Sequence, residues 1–248
     1  MDISKRDMER QFALRASVFD SSANWITDKE LISSHLELAG VDNGRLLELC
    51  CGTGQIGRAF KEKGWDVVGI DISKDMLKIS SRYFPVYRSK AEALPFKENS
   101  FDLVVCRQSF QFLDVRCVLD EAKRVLCPKG RFIISLTIPF GDMDKEWLKN
   151  IHITKQKLLK NFFTREDLIY YLESSGLKVR ASKELVIRES INRWMDCAPE
   201  LDFSIKEQVK NLIVSAPEAY KKIHKVEIRN GELLEDWNWI IIVAENIK

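Results

Sequence analysis

The feature that most constrains the fold is a glycine-rich stretch, LLELCCGTGQIGRAF, at residues 46–60. An apolar run over 45–50 is predicted to form a buried strand, and a helix is predicted over 55–63. Between them lie three glycines in the pattern G-x-G-x-x-G, at positions 52, 54 and 57. A glycine loop between a strand and a helix is typical of a parallel α/β sheet that holds a nucleotide-like ligand. The pattern alone fits a dinucleotide equally well.

Strands and helices continue to alternate along the chain. Apolar runs at 66–71, 101–108 and 131–138 read as strands, and apolar residues at helical spacing follow Asp114. The CPKG stretch at 127–130 is predicted to be a turn. This alternation predicts a doubly wound, Rossmann-like α/β fold with a parallel sheet. A short strand is predicted at the start of the VYRSKAEALPF stretch, 86–96, and with two later runs, 177–187 and 237–247, the expected strand number is seven.

The chain is long enough for one large domain, and we expect a single domain over 1–248. Residues 1–40 are predicted to form a helical cap, in which Thr27 and Glu30 open a helix as a capping box. The core is assigned to 41–138. Segments 139–163 and 188–234 interrupt the alternation and are predicted to be inserts on the substrate side, because ligands of such sheets bind beyond the carboxyl ends of the strands.

Charge and composition exclude several classes of function. The formal net charge is +2 with 31% charged residues, which gives no broad field for nucleic acid. No stretch approaches the roughly 20 apolar residues of a membrane helix, and the N-terminus lacks a secretory signal core. Six cysteines include no C-x-x-C pair, so we expect no metal site. The sequence therefore predicts a cytoplasmic protein and leaves its oligomeric state open.

Two acids separate the possible ligands of the glycine loop. Asp71 ends the second predicted strand, where a carboxylate accepts hydrogen bonds from ribose hydroxyls in either kind of nucleotide site. Glu48 lies two residues before Cys50 and the loop, and a carboxylate there is unhelpful to a pyrophosphate, which prefers exposed N–H groups. It suits a ligand with a cationic ammonium end. Glu48 thus favours S-adenosylmethionine (SAM) over a nicotinamide dinucleotide.

Four motifs in order and register carry a family resemblance: LLELCCGTG, VVGIDIS, AEALPFKENSFDLVV and RVLCPKGRFIIS. Together they resemble the class I SAM-dependent methyltransferases, and most closely the ubiquinone and menaquinone biosynthesis type with its small-molecule relatives. The resemblance covers about residues 45–140 and the C-terminal strands. It implies an antiparallel C-terminal strand in the sheet and SAM as the methyl donor, with S-adenosylhomocysteine (SAH) as product.

The resemblance also implies roles for individual residues. Glu48 would orient the methionine ammonium, and Arg107 would offer backbone contacts to the methionine portion. The implied cofactor residues, taken together, are Phe19, Trp25, Glu48, Cys50, Gly52, Gly54, Asp71, Ile72, Met76, Ala91, Glu92 and Arg107. Cys50 stands where the family usually has glycine, and Lys90 stands where an acid often reads the adenine amino group.

The acceptor is less well defined by the sequence. Methyl transfer from a sulfonium depends mainly on alignment, and a base is needed only for acceptors that must lose a proton. Of the three histidines, His152 in the first insert is the candidate base, His35 is a weaker one, and His224 is expected at the surface. The predicted function is methyl transfer to a small aromatic or apolar acceptor. An NAD(P)-dependent oxidoreductase and a non-catalytic SAM-binding protein remain as alternatives.

Overall fold

One twisted sheet organises the molecule in the computed structural model, which describes residues 5–247. Its main strand order is β3-β2-β1-β4-β5-β8-β6, and the short β7 pairs with β8. The first five strands run parallel, whereas β8 runs antiparallel to both β5 and β6. The strands are β1 Arg45–Leu49, β2 Asp66–Asp71, β3 Val86–Arg88, β4 Phe101–Arg107, β5 Leu126–Ile138, β6 Leu177–Ser190, β7 Glu227–Arg229 and β8 Glu232–Asn246.

Helices cover both faces of this sheet and extend over one end of it. They are α1 Lys5–Arg15, α2 Asn24–Thr27, α3 Lys29–Ala39, α4 Gln55–Glu62, α5 Lys74–Ser80, α6 Val115–Val125, α7 Asp142–Lys155, α8 Arg165–Ser174, α9 Ile191–Asp196, α10 Phe203–Val214 and α11 Glu218–Ile223. The predicted α/β fold with an antiparallel C-terminal strand is therefore confirmed, and β7 is added to the seven expected strands. Within residues 5–247, no helix is long and apolar enough to span a membrane.

Side-chain caps begin several of the helices. The hydroxyl of Ser73 accepts a hydrogen bond from the Met76 N–H and so opens α5. Asp114 opens α6 in the same way, through the Cys117 N–H. Such caps satisfy N–H groups that have no partner inside the helix. The residues that precede the helices thus fix where the chain turns back from each strand.

Two local predictions are wrong. The cap of α3 is Asp28, whose carboxylate accepts from the Leu31 N–H at 2.7 Å, whereas Thr27 is the last residue of α2. The CPKG stretch is part of β5. The bend there is absorbed as a shift of register against β4, with Lys129 at a φ of 62°. A bulge of this kind lets a strand continue through residues that usually form a turn.

The strands β1, β2, β4, β5 and β8 are largely buried on both faces, as expected for strands between helical layers. Leu46 and Val105 belong to the apolar cluster on one face, and Leu47 and Val104 to the cluster on the other. Strand β1 is flanked by β2 on one side and by β4 on the other. The chain therefore leaves β1 at the switch point of the strand order, where the connections diverge and a crevice opens.

Candidate functional site

A cavity opens at the carboxyl ends of β1, β2 and β4. All of the predicted cofactor residues except Gly54 line it, namely Phe19, Trp25, Glu48, Cys50, Gly52, Asp71, Ile72, Met76, Ala91, Glu92 and Arg107. The structure thus brings together side chains that are widely separated in the sequence. Their contacts with a ligand stay a prediction.

Gly52 and Gly57 of the loop have different structural roles. Gly52 has a φ of +51°, and a Cβ added there would meet no protein atom within 4 Å, so its backbone borders open space at the cavity wall. A Cβ at Gly57 would instead lie 2.6 Å from the Glu48 carboxylate and from the Phe84 ring. Gly57 therefore permits close packing of α4 on the sheet. Gly52 is the position at which a ligand could approach the backbone closely.

Cys50, at the end of β1, has a φ of 50°. This left-handed conformation costs a residue with a Cβ roughly 1–2 kcal/mol, and glycine adopts it freely. The strain explains physically why glycine is usual at this place in the resembling family. Gln108, which follows β4 and also lines the cavity, has a similar φ of 49°. Two strained residues thus mark the two strand ends that meet at the switch point, as is common at functional sites.

Asp71 links the loop after β1 to the loop after β2. Its Oδ2 accepts from the Gly52 N–H at 2.9 Å, and its Oδ1 accepts from the Ser73 N–H at 2.8 Å. Burial raises the pKa of this carboxyl, although the backbone N–H groups of Ser73 and Gly52 oppose the rise. Each carboxylate oxygen accepts more than one hydrogen bond. Asp71 can therefore hold the glycine loop and still accept from hydroxyl groups in the cavity.

Glu48 is buried at the end of β1, with only 4% of its surface exposed. Its Oε2 accepts from the Gly57 N–H at 2.9 Å, in the first turn of α4. Burial raises the pKa of Glu48 to about 7, against the opposing effect of the nearby Arg107 charge and of the Gly57 N–H. A cationic group in the cavity would favour the ionised carboxylate. Glu48 is thus placed to bind a ligand ammonium.

Arg107 faces Glu48 from the end of β4. Its Nη1 donates to the carbonyl oxygens of Ile26 at 3.2 Å and Trp25 at 3.4 Å, and its guanidinium lies 5.1 Å from the Trp25 ring centroid. Burial lowers the pKa of Arg107 to about 10. The side chain therefore stays cationic near neutral pH and brings a second charge, of opposite sign, to the cavity wall.

Helix α1 covers the cavity. Met8 and Phe12 of this helix line it, and the Phe12 ring packs edge-to-face on Phe112 with centroids 5.7 Å apart. At the end of α1, Arg15 forms an ion pair with Glu200, in which the Arg15 Nε donates at 2.9 Å. Met8, Phe12 and Phe112 thus form an apolar roof over the cavity. The largely buried Arg15–Glu200 ion pair anchors the C-terminal end of α1.

The segment after α1 is fastened to the glycine loop. The Asp20 carboxylate accepts from the Thr53 hydroxyl at 2.6 Å and from the Gln55 side-chain amide at 2.9 Å. Further along, the carboxylate of Glu189 accepts from the backbone N–H groups of Asn24 at 2.8 Å and Trp25 at 2.7 Å. The position of Trp25 is thus set by hydrogen bonds to its backbone from β6, and Phe19 packs on its ring edge at 6.1 Å.

Comparison with known proteins agrees with this geometry. A family model described as "Methyltransferase domain" matches residues 47–134, which span β1 to β5. An uncharacterized protein of Methanocaldococcus jannaschii is 30% identical over 182 residues, which cover 70% of this chain and 87% of the relative. The demethylmenaquinone methyltransferase of Thermotoga maritima is 35% identical over 105 residues, which cover 40% of this chain and 46% of the relative.

Solved structures agree in fold. A putative methyltransferase of Bacillus halodurans superposes with a TM-score of 0.79 at 19% identity, over 88% of this chain and 99% of that one. YcgJ of Bacillus subtilis gives 0.76 at 18% identity, over 88% and 98%. The chain belongs to the class I SAM-dependent methyltransferases. The family resemblance inferred from the four motifs is therefore confirmed.

The three histidines of this methyltransferase lie away from the cavity. His152 packs among aromatic rings of Trp194, Trp237 and Phe162, at centroid distances of 5.5, 5.9 and 6.2 Å. Burial lowers its pKa to about 3. The structure does not bring His152 to the cavity, so its role as a base stays a prediction without geometric support.

The other two histidines are structural. His35 is buried between the Leu31 carbonyl oxygen at 2.6 Å and the Ser135 hydroxyl at 2.7 Å. His224 was expected at the surface, and this is wrong. It is fully buried, 2.9 Å from the Asp144 carboxylate and stacked on Tyr220 at 3.9 Å. A long-range partner in α7 makes this burial tolerable, and no sequence pattern near His224 indicates it.

Several cavity residues are missed by the sequence analysis. Met8 and Phe12 are spaced four apart in a charged N-terminal run, so they share one helix face, and this spacing is the signal that could have found them. Gln108 and Ser109 directly follow β4 at the ligand-binding edge of the sheet. Lys160 lies beyond α7 and has no such signal. Among the described residues, the second insert, 188–234, contributes no side chain to the cavity. Its residues Glu189 and Glu200 instead contact Trp25 and Arg15 of the cap.

Proposed function

We propose that this chain binds SAM in the cavity at the switch point and transfers its methyl group to a small-molecule acceptor. The observation that carries the proposal is the convergence of three features on one cavity: the buried Glu48 carboxylate, the open backbone at Gly52, and Asp71 on the neighbouring strand. These offer an acceptor for an ammonium group, room for close backbone approach, and an acceptor for ribose hydroxyls. Ile72 and Met76 add apolar surface for a base.

When bound, SAM supplies an activated methyl group whose leaving group needs no acid. The tasks left to the protein are to align the acceptor and to exclude water. The apolar roof of Met8, Phe12 and Phe112, with Phe19 and Trp25 beside it, is suited to both. Alignment of this kind contributes up to ~7–11 kcal/mol in favourable cases. We propose that residues 41–138 hold the cofactor, while 1–40 and Lys160 of the first insert border the acceptor side. The second insert supports this side indirectly, through the contacts of Glu189 with Trp25 and of Glu200 with Arg15.

The acceptor is proposed to be one that needs no protein base. Among the described residues that line the cavity there is no histidine and no tyrosine. The carboxylates present, Glu48, Asp71 and Glu92, lie on the wall assigned to the cofactor. A group with a free lone pair or an ionised group at neutral pH meets this requirement. The demethylmenaquinone methyltransferase of Thermotoga maritima, similar over 105 residues, supports a small apolar acceptor.

Calorimetric titration with SAM, SAH, NADH and NADPH tests the proposal. We expect micromolar binding of SAM and SAH alone, followed by methyl transfer in an acceptor screen. Binding of only the nicotinamide nucleotides would overturn the assignment. Binding of SAM with no turnover on any acceptor class would favour a non-catalytic SAM-binding protein.

Gly52 of the glycine loop and Gly64 beyond α4 offer a matched pair of variants for this titration. Gly52 and Gly64 both have positive φ, at +51° and +92°, and an added Cβ meets no protein atom within 4 Å at either. Gly52 lines the cavity, whereas Gly64 lies beyond the C-terminal end of α4. We expect Gly52→Ala to weaken SAH binding at least about tenfold by intruding on the ligand, and Gly64→Ala to change only stability. Equal effects on binding would place the ligand elsewhere.

A further inference from the structure

The acceptor side of the cavity combines an apolar roof with a cation. Met8, Phe12 and Phe112 form the roof, and Lys160 of the first insert lines the same cavity. The Lys160 N–H donates to the carbonyl oxygen of Gln111 at 2.9 Å, which places Lys160 beside the residue that precedes Phe112. The cation is therefore anchored next to the aromatic part of the roof.

The backbone around Lys160 is fixed by the turn that carries Phe112. The next residue, Asn161, donates through its N–H to the same Gln111 oxygen at 3.0 Å, and its side-chain amide donates to the Leu113 carbonyl oxygen at 2.9 Å. Leu113 also lines the cavity. The Lys160 residue is exposed at the cavity mouth. Its side chain is therefore the part that is free to reach a ligand.

The charge of Lys160 has no partner in the described chain. None of the ion pairs within residues 5–247 includes it. The Asp114 carboxyl feels this charge weakly, because its pKa is lowered mainly by the Cys117 N–H and only to a small extent by Lys160. The Asp114 carboxylate is also engaged as the cap of α6. Lys160 therefore retains a positive charge that a ligand can meet.

The other charges of the cavity indicate the sign of such a ligand. The described residues that line it include three acids and three cations, namely Glu48, Asp71, Glu92, Lys90, Arg107 and Lys160. Their charges cancel when all of them are ionised. SAM adds one positive charge, because its ammonium and carboxylate cancel and its sulfonium remains. One negative charge on the acceptor restores the balance, and uncompensated charge is unfavourable in a site that is partly removed from water.

Lys160 is the cation best placed to meet that negative charge. Arg107 faces Glu48 on the wall proposed for the cofactor. Lys90 belongs to the loop after β3, which also carries Glu92 of that wall. Among the cavity cations of the described chain, Lys160 is the one that backbone hydrogen bonds fix beside the roof.

We propose that the acceptor is an apolar acid with one negative charge, whose apolar part lies under the roof and whose anionic group binds Lys160. This inference rests on the proposed function and specifies the substrate class of that same site. A neutral acceptor would leave the Lys160 ammonium and the added charge of SAM without a counter-charge. A cationic acceptor would add a further positive charge to both.

The test uses two fluorescent probes with the same rings. 8-Anilinonaphthalene-1-sulfonate carries one negative charge, whereas N-phenyl-1-naphthylamine lacks only the sulfonate and is neutral. Both are titrated into wild type and Lys160→Gln that are saturated with SAH, so that the cofactor region is filled. Affinity for the sulfonate is expected to fall by about 3–10-fold in Lys160→Gln at low ionic strength, and affinity for the neutral probe to stay within about twofold. High salt should shrink the difference, because it screens exposed ion pairs.

Three further variants separate a local ion pair from a general change in charge or structure. Lys157→Gln removes an exposed cation that lies three residues earlier and does not line the cavity. It should change neither affinity by more than about twofold, because a distant exposed charge is screened. Lys160→Arg keeps the charge and should retain most of the affinity for the sulfonate. Phe112→Ala removes part of the roof and should weaken both probes by a similar factor.

The charge of the cofactor gives a second readout. SAM and SAH differ by one methyl group and one positive charge. The sulfonate should therefore bind the SAM complex about threefold more tightly than the SAH complex, whereas the neutral probe should not discriminate between them. Such a difference places the anion within the field of the sulfonium, and therefore inside the cavity.

The outcomes are distinct. Equal weakening of both probes in Lys160→Gln, or no weakening of either, would overturn the inference and leave Lys160 as a solvated surface cation. Equal affinity of the sulfonate for the SAM and SAH complexes would overturn it too, because the anion would then lie outside the cavity. In both cases the proposed function stands if calorimetry shows binding of SAM and SAH. If neither cofactor binds, the proposed function fails, and this inference fails with it.

Discussion

Two regions bury polar groups, but the partners of these groups lie at very different distances along the chain. One is the cavity wall proposed for the cofactor (the cofactor wall), built around Glu48 and Asp71, and the other is the cap, taken here as residues 5–40 with the inserts 139–163 and 188–234. On the cofactor wall, Glu48 binds the backbone of a residue nine positions away, and Asp71 binds those of residues 19 and two positions away. In the cap, Arg15 reaches Glu200 across 185 positions, and the Glu189 carboxylate reaches the Asn24 N–H across 165. One region is built from loops beside their own strands, and the other from contacts between distant segments.

We infer from this difference that the cofactor wall serves ligand binding and that the cap serves the stability of the fold. The cofactor wall uses carboxylates to hold loops whose backbone stays accessible to the cavity. The cap uses fully enclosed pairs, such as His224 with Asp144, to join the two inserts to each other. Damage to the cofactor wall should therefore appear in ligand affinity, and damage to the cap in the free energy of unfolding. Four predictions test this separation.

The largest effect is expected in the cap. Asp144→Ala removes the acceptor of the buried His224 and also of the Phe140 and Gly141 backbone N–H groups. Breaking a buried pair of this type costs about 3–5 kcal/mol. Urea unfolding should show that loss, with SAH affinity of the folded variant within about threefold of wild type. Asp142→Ala, in the same first helical turn but exposed, is the control. A large loss of affinity would show that the two regions are coupled.

Asp71→Ala is expected to reverse this pattern. It removes the proposed acceptor for two ribose hydroxyls, and hydrogen bonds to a charged group contribute about 1.5–3 kcal/mol each. SAH affinity measured by calorimetry should fall by about 100-fold or more. Asp66→Ala serves as the control, because Asp66 lies at the exposed other end of β2 and pairs with Arg45 at 3.2 Å. A change below threefold would place the ribose elsewhere.

A pH titration tests the cofactor wall through Glu48. Burial raises its pKa from 4.5 to about 7, so the free protein binds a proton there over that range. An ammonium ligand needs the ionised carboxylate, and SAH affinity should therefore rise by about tenfold between pH 6 and pH 8. The same shift means that Glu48 lowers the stability of the free protein as pH rises from 4.5 to about 7. In Glu48→Gln the affinity should be nearly independent of pH, and a persisting slope would assign the titration to another group.

The separation by chain distance also explains what the sequence could predict. The alternation of strands and helices, the caps at Ser73 and Asp114, and the cavity residues Glu48, Gly52 and Asp71 are visible as local patterns, whereas Lys160 is not. The burial of His224 and Lys155 is not visible locally. Lys155 belongs to a run of lysines that reads as a solvated helix face, yet its ammonium lies 3.9 Å from the Trp194 ring centroid, and only 4% of the residue is exposed. Each depends on a partner from another segment.

The smallest effect concerns helix N-caps, which occur in both regions. Asp28 caps α3 in the cap, and Ser73 caps α5 beside the cofactor wall. Replacing either by alanine should lower the free energy of unfolding by about 1 kcal/mol, because one N–H of the first turn loses its acceptor. Thr27→Ala is the matched control, since its neighbour and not Thr27 holds the Leu31 N–H, and its effect should stay within about 0.5 kcal/mol.

Only Ser73→Ala should also weaken SAH, because the Ser73 N–H is bound to Asp71 and a frayed α5 would release that carboxylate. Asp28→Ala should leave SAH affinity unchanged even though its stability cost is the same. If both variants lose the same free energy of unfolding but only Ser73→Ala loses SAH affinity, the N-cap of α5 supports the cofactor wall and that of α3 does not. If both variants lose the same SAH affinity, α3 also positions the cofactor wall.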